Sequence, residues 1–365
     1  MAVANVRRCR TGNPSLSRTV GLILETSNCL FRYLPADDTG GMSTSLAGYE
    51  TWRERAAWTD LGRRATVRAR GPDAVRFLEN FTTAAVGSLT VGAGTETFFT
   101  DSRGWVIALA MVLRVDEGLV IEAAAGLGSR LQVHLEHYHI REQVELVDAS
   151  ADVASLLVAG PAAAAWLAEH GRAEGHGAAA RVPERLFDHA ECSLGGIAVR
   201  LVHTDWWGEH GYLVRLAAAD HEALLAWMRE SGLPEADAAT VEAARIERGT
   251  PSPADMPEKT LPQELGRDTR AISFTKGCYL GQETVARLDA LGHVNRRLVL
   301  VAVEGELPAA AEAMADGTGV GMLTSRCRSP RMECSLGLGI LSTKAVTAAT
   351  LTVAGTSARI VELSR

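Results

Sequence analysis

Lysine is almost missing from this chain. Only Lys259, Lys276 and Lys344 occur among 365 residues, so nearly all of the positive charge is arginine. Lys+Arg total 37 against 44 Asp+Glu, a formal net charge of −7, which offers no overall field to draw in a polyanion. Nucleic acid is therefore not expected as a main partner. Long apolar runs are missing too: no window of about 18 residues is continuously apolar, so no helix is expected to span a membrane. The six cysteines, Cys9, Cys29, Cys192, Cys278, Cys327 and Cys334, are too scattered for the dense framework of a small secreted fold. A reducing compartment, the cytoplasm, fits that usage. Cys327 and Cys334 stand near no histidine and no second close pair, and read as structural or surface thiols. His134, His137 and His139 crowd into HLEHYH, which does not meet the HExxH pattern of a zinc helix, so no metal site is expected. What remains is 47% hydrophobic and 22% charged, the balance of a globular chain with room for two or three cores.

Residues 1 to 41 show no sustained periodicity and precede Met42, which opens MSTSLAGYETW. Arg7, Arg8, Arg10 and Arg18 hint at a targeting segment, but Glu25, Asp37 and Asp38 break the acid-poor pattern. An unstructured or dispensable leader is the expectation.

From residue 66, TVRARGPDAVRFLENF reads as a strand, a Gly71-Pro72 turn and a helix whose Ala74, Val75, Leu78 and Phe81 share one face. SLLVAGPAAAAWLAEHG repeats the design: Gly160-Pro161 lies 89 residues after Gly71-Pro72, Val67 aligns with Leu156, and Phe77-Leu78 align with Trp166-Leu167. Each copy continues with strand candidates, TFFTDSRGWVIALAMVLR then GLVIEAA in one and GIAVRLVHTDWWGEHGYLVRLAA in the other. Helices follow around 126–137 and 220–230. Two β-α-β-β-α units, roughly 60–150 and 151–235, predict a duplicated α+β architecture with antiparallel sheets. ADAATVEAARIERG is a helix ending at Gly249. TPSPADMPEKTLPQELGRD is too rich in proline for regular structure, and from RRLVLVAV onward short strands between glycine turns predict an all-β module.

The densest group of unusual residues is SFTKGCYLGQETVARL, 273–288. Gly277 and Gly281 permit conformations closed to other residues, and a helix starting at Gln282 or Glu283 would put Cys278 near its N-terminus, within reach of Lys276. Both features favour a thiolate. A cysteine held inertly in a tight loop is the plain alternative. His293 is the nearest histidine, of unknown direction.

KGCYLGQE closely resembles the K-G-C-(F/Y)-x-G-Q-E signature of the folate-binding iron–sulfur maintenance proteins, the YgfZ family, relatives of the glycine cleavage T-protein or aminomethyltransferase. The resemblance extends through RIERGTPSPADM, LPQELG, ARLDALGHVNRRLV and GMLTSRCRSPRMECSLGLGIL, and back to TVRARGPDAVRFLENFTTA. It implies two tandem ferredoxin-like α+β domains, over 48–150 and 151–290, forming a T-protein-like folate-binding disc with a C-terminal β-barrel over 291–365. It implies tetrahydrofolate or a one-carbon derivative as cofactor, with the R-x-E-x-G glutamate, Glu247, on the pterin. A carboxylate there accepts two parallel N–H bonds; the plain alternative is a surface pair with Arg245 or Arg248. Gln282 and Glu283 belong to the same expected site, and Arg287 and Arg297, with Arg296, are candidates for the folate's acidic tail. The acidic pair of the aminomethyltransferases falls here on Ala108 and Leu109, so methylene transfer lacks its proton-steering carboxylate. The resemblance therefore implies a protein assisting assembly or repair of iron–sulfur clusters in client enzymes or with assembly factors, Cys278 being its reactive thiol and Lys276 that thiol's activator. A folate-dependent aminomethyltransferase or demethylase of a small methylated amine is the alternative, and a folate-responsive scaffold without chemistry is the third.

Overall fold

Helix α1 (Leu46–Glu54) and strand β1 (Ala57–Gly62) open the computed structural model, which describes residues 46–173 and 178–363. The leader expected over residues 1 to 41 lies outside the described residues. A first repeat follows: β2 (Ala65–Arg70), α2 (Ala74–Glu79), β3 (Gly94–Thr100), β4 (Val106–Val115), β5 (Gly118–Ala123), α3 (Gly128–Glu136) and β6 (Glu145–Asp148). The second comprises β7 (Val153–Ala159), α4 (Ala163–His170), the two-residue β8 (Gly171–Arg172), β9 (His189–Leu194), β10 (Ile197–Thr204), β11 (Gly211–Ala217) and α5 (His221–Glu230).

Both sheets are antiparallel, in the orders β3-β4-β5-β2-β6 and β1-β7-β11-β10-β9-β8. Without the outer β3, β9 and β8, each is a ferredoxin-like sheet. The β-α-β-β-α reading needs two corrections. In the first repeat three strands, not two, separate the helices, because the Asp101–Gly104 turn divides TFFTDSRGWVIALAMVLR: the Asp101 carboxylate accepts from the backbone N–H of Arg103 and of Trp105, each at 2.9 Å. In the second the short β8 and β9 make four. And the strand that completes the second sheet is β1, from the N-terminal side of the first repeat.

The glycine turns show why β1 fits there. Gly71 and Gly160 have φ of +116° and +119°, and each presses its backbone on a carbonyl that a Cβ would strike, Gln143 O at 2.4 Å and Arg55 O at 2.6 Å. Gln143 lies two residues before β6 and Arg55 two residues before β1. The N–H of Asp73 and of the matching Ala162 donate to those same carbonyls at 3.2 and 2.8 Å. The duplicated turn thus recruits equivalent strands from different parts of the chain.

Burial on both faces explains why β4 and β7 show no apolar/polar alternation. Ala108, Ala110 and Val112 of β4 face the helices of the first repeat, while Leu109, Met111 and Leu113 join a central core with Leu157, Ala159, Val202 and Leu213 of the second sheet. After α6 (Ala238–Glu247), α7 (Asp268–Ala271) and α8 (Gln282–Leu291) comes the barrel: β12 (Arg296–Val303), β13 (Ala311–Ala315), β14 (Thr318–Leu323), β15 (Ser325–Ser329), β16 (Cys334–Ser342), α9 (Lys344–Thr347), β17 (Leu351–Val353) and β18 (Thr356–Val361). It closes because β16 pairs with both β14 and β12, in the cycle β12-β18-β17-β13-β14-β16. Val299, Val301 and Val303 fill its interior, and the alternate residues Leu298, Leu300 and Ala302 meet the central core. One apolar centre therefore joins both repeats and the barrel.

His189 of β9 stands at the joint between the repeats, its Nε2 donating to Arg114 O at 3.0 Å. Burial, and secondarily the charge of Arg200, pull its pKa down to about 4. A base whose pKa is lower folded than unfolded binds fewer protons in the native state, so stability rises with pH between about 4 and 6.5 and is level above. The loss across that window is expected to be on the order of 3 kcal/mol. Denaturant titrations should show a shallower acid loss for His189→Gln, and identical pH profiles would refute the assignment.

Candidate functional site

The KGCYLGQE loop is fastened to the first repeat at several points. Ser273 N–H donates to Thr83 O at 2.9 Å, Leu280 N–H to Asn80 O at 2.8 Å, and Thr100 Oγ1 to Leu280 O at 2.7 Å. Gly281 follows at φ +83°, where an added Cβ would stand 2.5 Å from Asp101 O and 2.8 Å from Gly104 Cα. Two glycines thus let the loop and the Asp101–Gly104 turn touch backbone to backbone. Helix α8 begins at Gln282, as expected, but the reading of Gly277 is corrected: it has no positive φ, and a Cβ there would meet nothing within 4 Å.

Lys276 has a different task from the one expected. Its side chain is 3% exposed, and Nζ donates to the carbonyls of Glu79 and Thr82 at 2.7 Å and of Ala84 at 2.9 Å, with Glu79 Oε1 at 3.3 Å. Burial pulls its pKa down and the Glu79 carboxylate opposes that shift. The ammonium is spent on anchoring the loop to the end of α2, so Lys276 is a positioning residue. Lys276→Met should leave acceptors unpaired at about 1–3 kcal/mol each and speed amide exchange over 273–281. Unchanged exchange would contradict the anchoring role.

Cys278 is exposed at the outer edge of this clamped loop, beside Tyr279, which is buried and whose hydroxyl is pushed up to about 12 by burial. His293 is not its partner. It follows α8, whose ten residues separate the two ends by about 15 Å, and its Nδ1 lies 3.0 Å from Leu291 O. Gln282 is half-buried, while Glu283 and Arg287 are exposed on the same helix.

Glu247 lies at the end of α6, where α6 packs on α1 and β15. Tyr49 Oη stands 2.7 and 2.6 Å from its two oxygens, and Ser329 Oγ donates to Oε1 at 2.5 Å. Burial and then the carboxylate raise the Tyr49 hydroxyl pKa, and the Cys327 thiol is raised by burial first and by Glu247 second. Of the arginines flanking it, Arg245 pairs with Glu242 and Asp255, and Arg248 with Asp205. Tyr49 and Ser329 escaped the sequence reading because they lie 198 and 82 residues from Glu247, with no motif linking them.

Beside Arg248 and Gly249 lies a space of about 20 Å³, lined also by Arg267, Arg270 and Leu363. Buried ion pairs fill the surroundings. Glu96 of β3 receives Arg267, Arg270 at 3.2 Å and Trp206 Nε1 at 2.8 Å, while Asp205 receives Arg270 and Arg248, each at 2.7 Å. Burial pushes the Asp205 carboxyl up, but those two guanidinium groups outweigh it and hold its pKa down to about 2. Among the described residues no hydrogen bond or ion pair joins Gln282, Glu283 or Arg287 to Glu247, so the expected site residues form two groups. Arg296 is tied to Glu264 and to Lys259 O, leaving Arg297, exposed on β12, apart from both.

Duplicated ferredoxin-like sheets with a closed barrel match a known pattern. The GCVT N-terminal domain matches residues 33–276, well over half of the chain, and the CAF17 C-terminal beta-barrel domain matches residues 295–363. The chain belongs to the GCVT family. A putative chloroplastic transferase of Arabidopsis thaliana is 24% identical over 294 residues, 78% of this chain but 65% of that protein, so the chain spans less than two thirds of that relative. An aminomethyltransferase of Thermus thermophilus is 27% identical, over 76% of this chain and 77% of the relative. The crystal structure of the glycine cleavage system aminomethyltransferase T from Bartonella henselae superposes with a TM-score of 0.74 at 20% identity, over 87% of this chain and 88% of that one. That likeness establishes the GCVT fold and leaves the chemistry to the residues. In this GCVT chain Ala108 and Leu109 are 0% and 4% exposed on β4, opposite Phe99 and Phe98.

Proposed function

We propose that the protein binds tetrahydrofolate or a one-carbon derivative and assists assembly or repair of iron–sulfur clusters in client enzymes in the cytoplasm, through the thiol of Cys278. The observation that carries this reading is the exposed Cys278 on a loop clamped at Lys276, Leu280 and Gly281, whose own side chain takes no part in the clamp. Such a thiol is free to exchange partners while its backbone is held.

Glu247 supports the folate part. Its two oxygens, half-buried at a helix end, are engaged by hydroxyls that a pterin's N–H edge can replace. The fit requires Tyr49 to swing aside and Leu363 to open the space beside Arg248, since about 20 Å³ takes one water. A reduced folate supplies carriage of one-carbon units; the chain's residues bind and orient it. The aminomethyltransferase reading draws on the relatives' names, and the apolar Ala108 and Leu109 speak against it, because no acid stands there to steer a proton.

Anaerobic reconstitution of an iron–sulfur client tests the proposal. Cluster content should rise with this protein and tetrahydrofolate together and not with either alone. Equal content in all arms would refute it.

A further inference from the structure

Glu247 is engaged by a side chain from the far end of the chain. Tyr49 of α1 is 2% exposed, and its hydroxyl bridges the carboxylate, 2.7 Å from one oxygen and 2.6 Å from the other. One O–H carries one proton, so Tyr49 can satisfy only one oxygen at a time. Ser329 Oγ supplies a second proton, to Oε1 at 2.5 Å. A carboxylate offers about four lone-pair sites, and two parallel N–H donors fill them better than a single shared hydroxyl. Such an edge cannot reach both oxygens while the tyrosine bridges them.

Helix α1 is held unevenly along its length. Its C-terminal half is built into the core: Trp52 is 3% exposed in the central apolar cluster, and Arg55, whose N–H donates to Thr51 O at 3.0 Å, accepts at its own carbonyl from Ala162 N–H at 2.8 Å. The first turn is different. Leu46 and Ala47 are exposed and Gly48 is half-buried. Glycine is the poorest helix former after proline, so the turn that carries Tyr49 is the weakest part of the helix. Unwinding that turn alone releases the hydroxyl and leaves Trp52 in place.

We propose that Tyr49 is a built-in competitor for Glu247: the first turn of α1 closes the pterin site, and a folate binds only when that turn unwinds. This rests on the reading of Glu247 as the carboxylate that holds the pterin. The apparent affinity is then the intrinsic affinity scaled by the fraction of chains whose turn is open. Removing the hydroxyl should tighten binding, whereas a Tyr49 that stayed to cradle the ligand would make its removal weaken binding. By linkage, bound folate should also hold the turn open.

Anaerobic calorimetric titration with tetrahydrofolate of the parent, Tyr49→Phe and Ala47→Gly tests this. Tyr49→Phe should bind about tenfold or more tightly, because it lacks a hydrogen bond to a charged group that only the closed state makes. Ala47→Gly alters an exposed residue of the same turn without removing any group that touches Glu247, and should bind about two- to fivefold more tightly by loosening the helix. In the parent, amide exchange over residues 46–51 should quicken when tetrahydrofolate is added. Melting curves check that the variants fold, and Ala47→Gly with the exchange measurement decides the matter if Tyr49→Phe does not. Equal or weaker binding by Tyr49→Phe, or exchange over the turn that is unchanged or slower in the complex, would overturn the competitor role and leave the folate reading standing. Absence of binding by the parent and by both variants would remove the folate reading and this role with it.

Discussion

Cys278→Ala is expected to fold like the parent, to bind tetrahydrofolate equally well, and to lose client cluster activity completely in cells lacking the native protein. Folding should survive because the loop's clamps are the Lys276 ammonium, backbone groups and the Gly281–Gly104 contact, none of which uses the thiol. Loss of function should be complete because no other described cysteine can take over. Cys192 is fully buried in the second repeat's core, the Cys327 thiol is pushed up by burial, and Cys334 packs half-buried beside it against the central core. Alkylation followed by mass spectrometry should accordingly modify Cys278 first among Cys192, Cys278, Cys327 and Cys334. Full rescue by the alanine variant would end the thiol-chemistry account and favour a folate-responsive scaffold.

Glu96→Gln should be among the most destabilising single changes. The Glu96 side chain has no exposure and serves Arg267, which is 8% exposed, together with Arg270 and the Trp206 indole. Removing the charge leaves guanidinium groups buried opposite an amide, and breaking a buried pair from one side costs about 3–5 kcal/mol. For a chain of this size that lowers the thermal midpoint by on the order of 5 °C. Exposed pairs such as Arg70–Glu117 should cost under about 1 kcal/mol when broken, so the contrast is diagnostic. A midpoint unchanged in Glu96→Gln would show that the network contributes little to holding the repeats together.

Much of the fold was legible because its signals are local. The paired Gly-Pro turns report a backbone position that excludes a Cβ, and the 89-residue offset reports the duplication. The barrel was legible from its glycine-separated strands, although Ala311–Ala315, an alanine-rich strand with little β preference, was not. The origin of β1 could not be read, since strand pairing across the chain leaves no mark in either segment. The site divides in the same way. Cys278 and the start of α8 follow from glycine, cysteine and helix period, whereas the burial of Lys276 depends on carbonyls of residues 79–84, which no spacing reveals. Lysine rarity drew attention to Lys276 and proximity in sequence suggested a wrong partner for it.

Titrating the anaerobic full-length protein with tetrahydrofolate by calorimetry, beside Glu247→Gln, tests the central claim most directly. One molecule should bind per chain, and the variant should bind about tenfold or more weakly while melting as the parent does, because a hydrogen bond to a charged group contributes about 1.5–3 kcal/mol. Absence of binding to the parent, or equal binding by Glu247→Gln, would contradict the account.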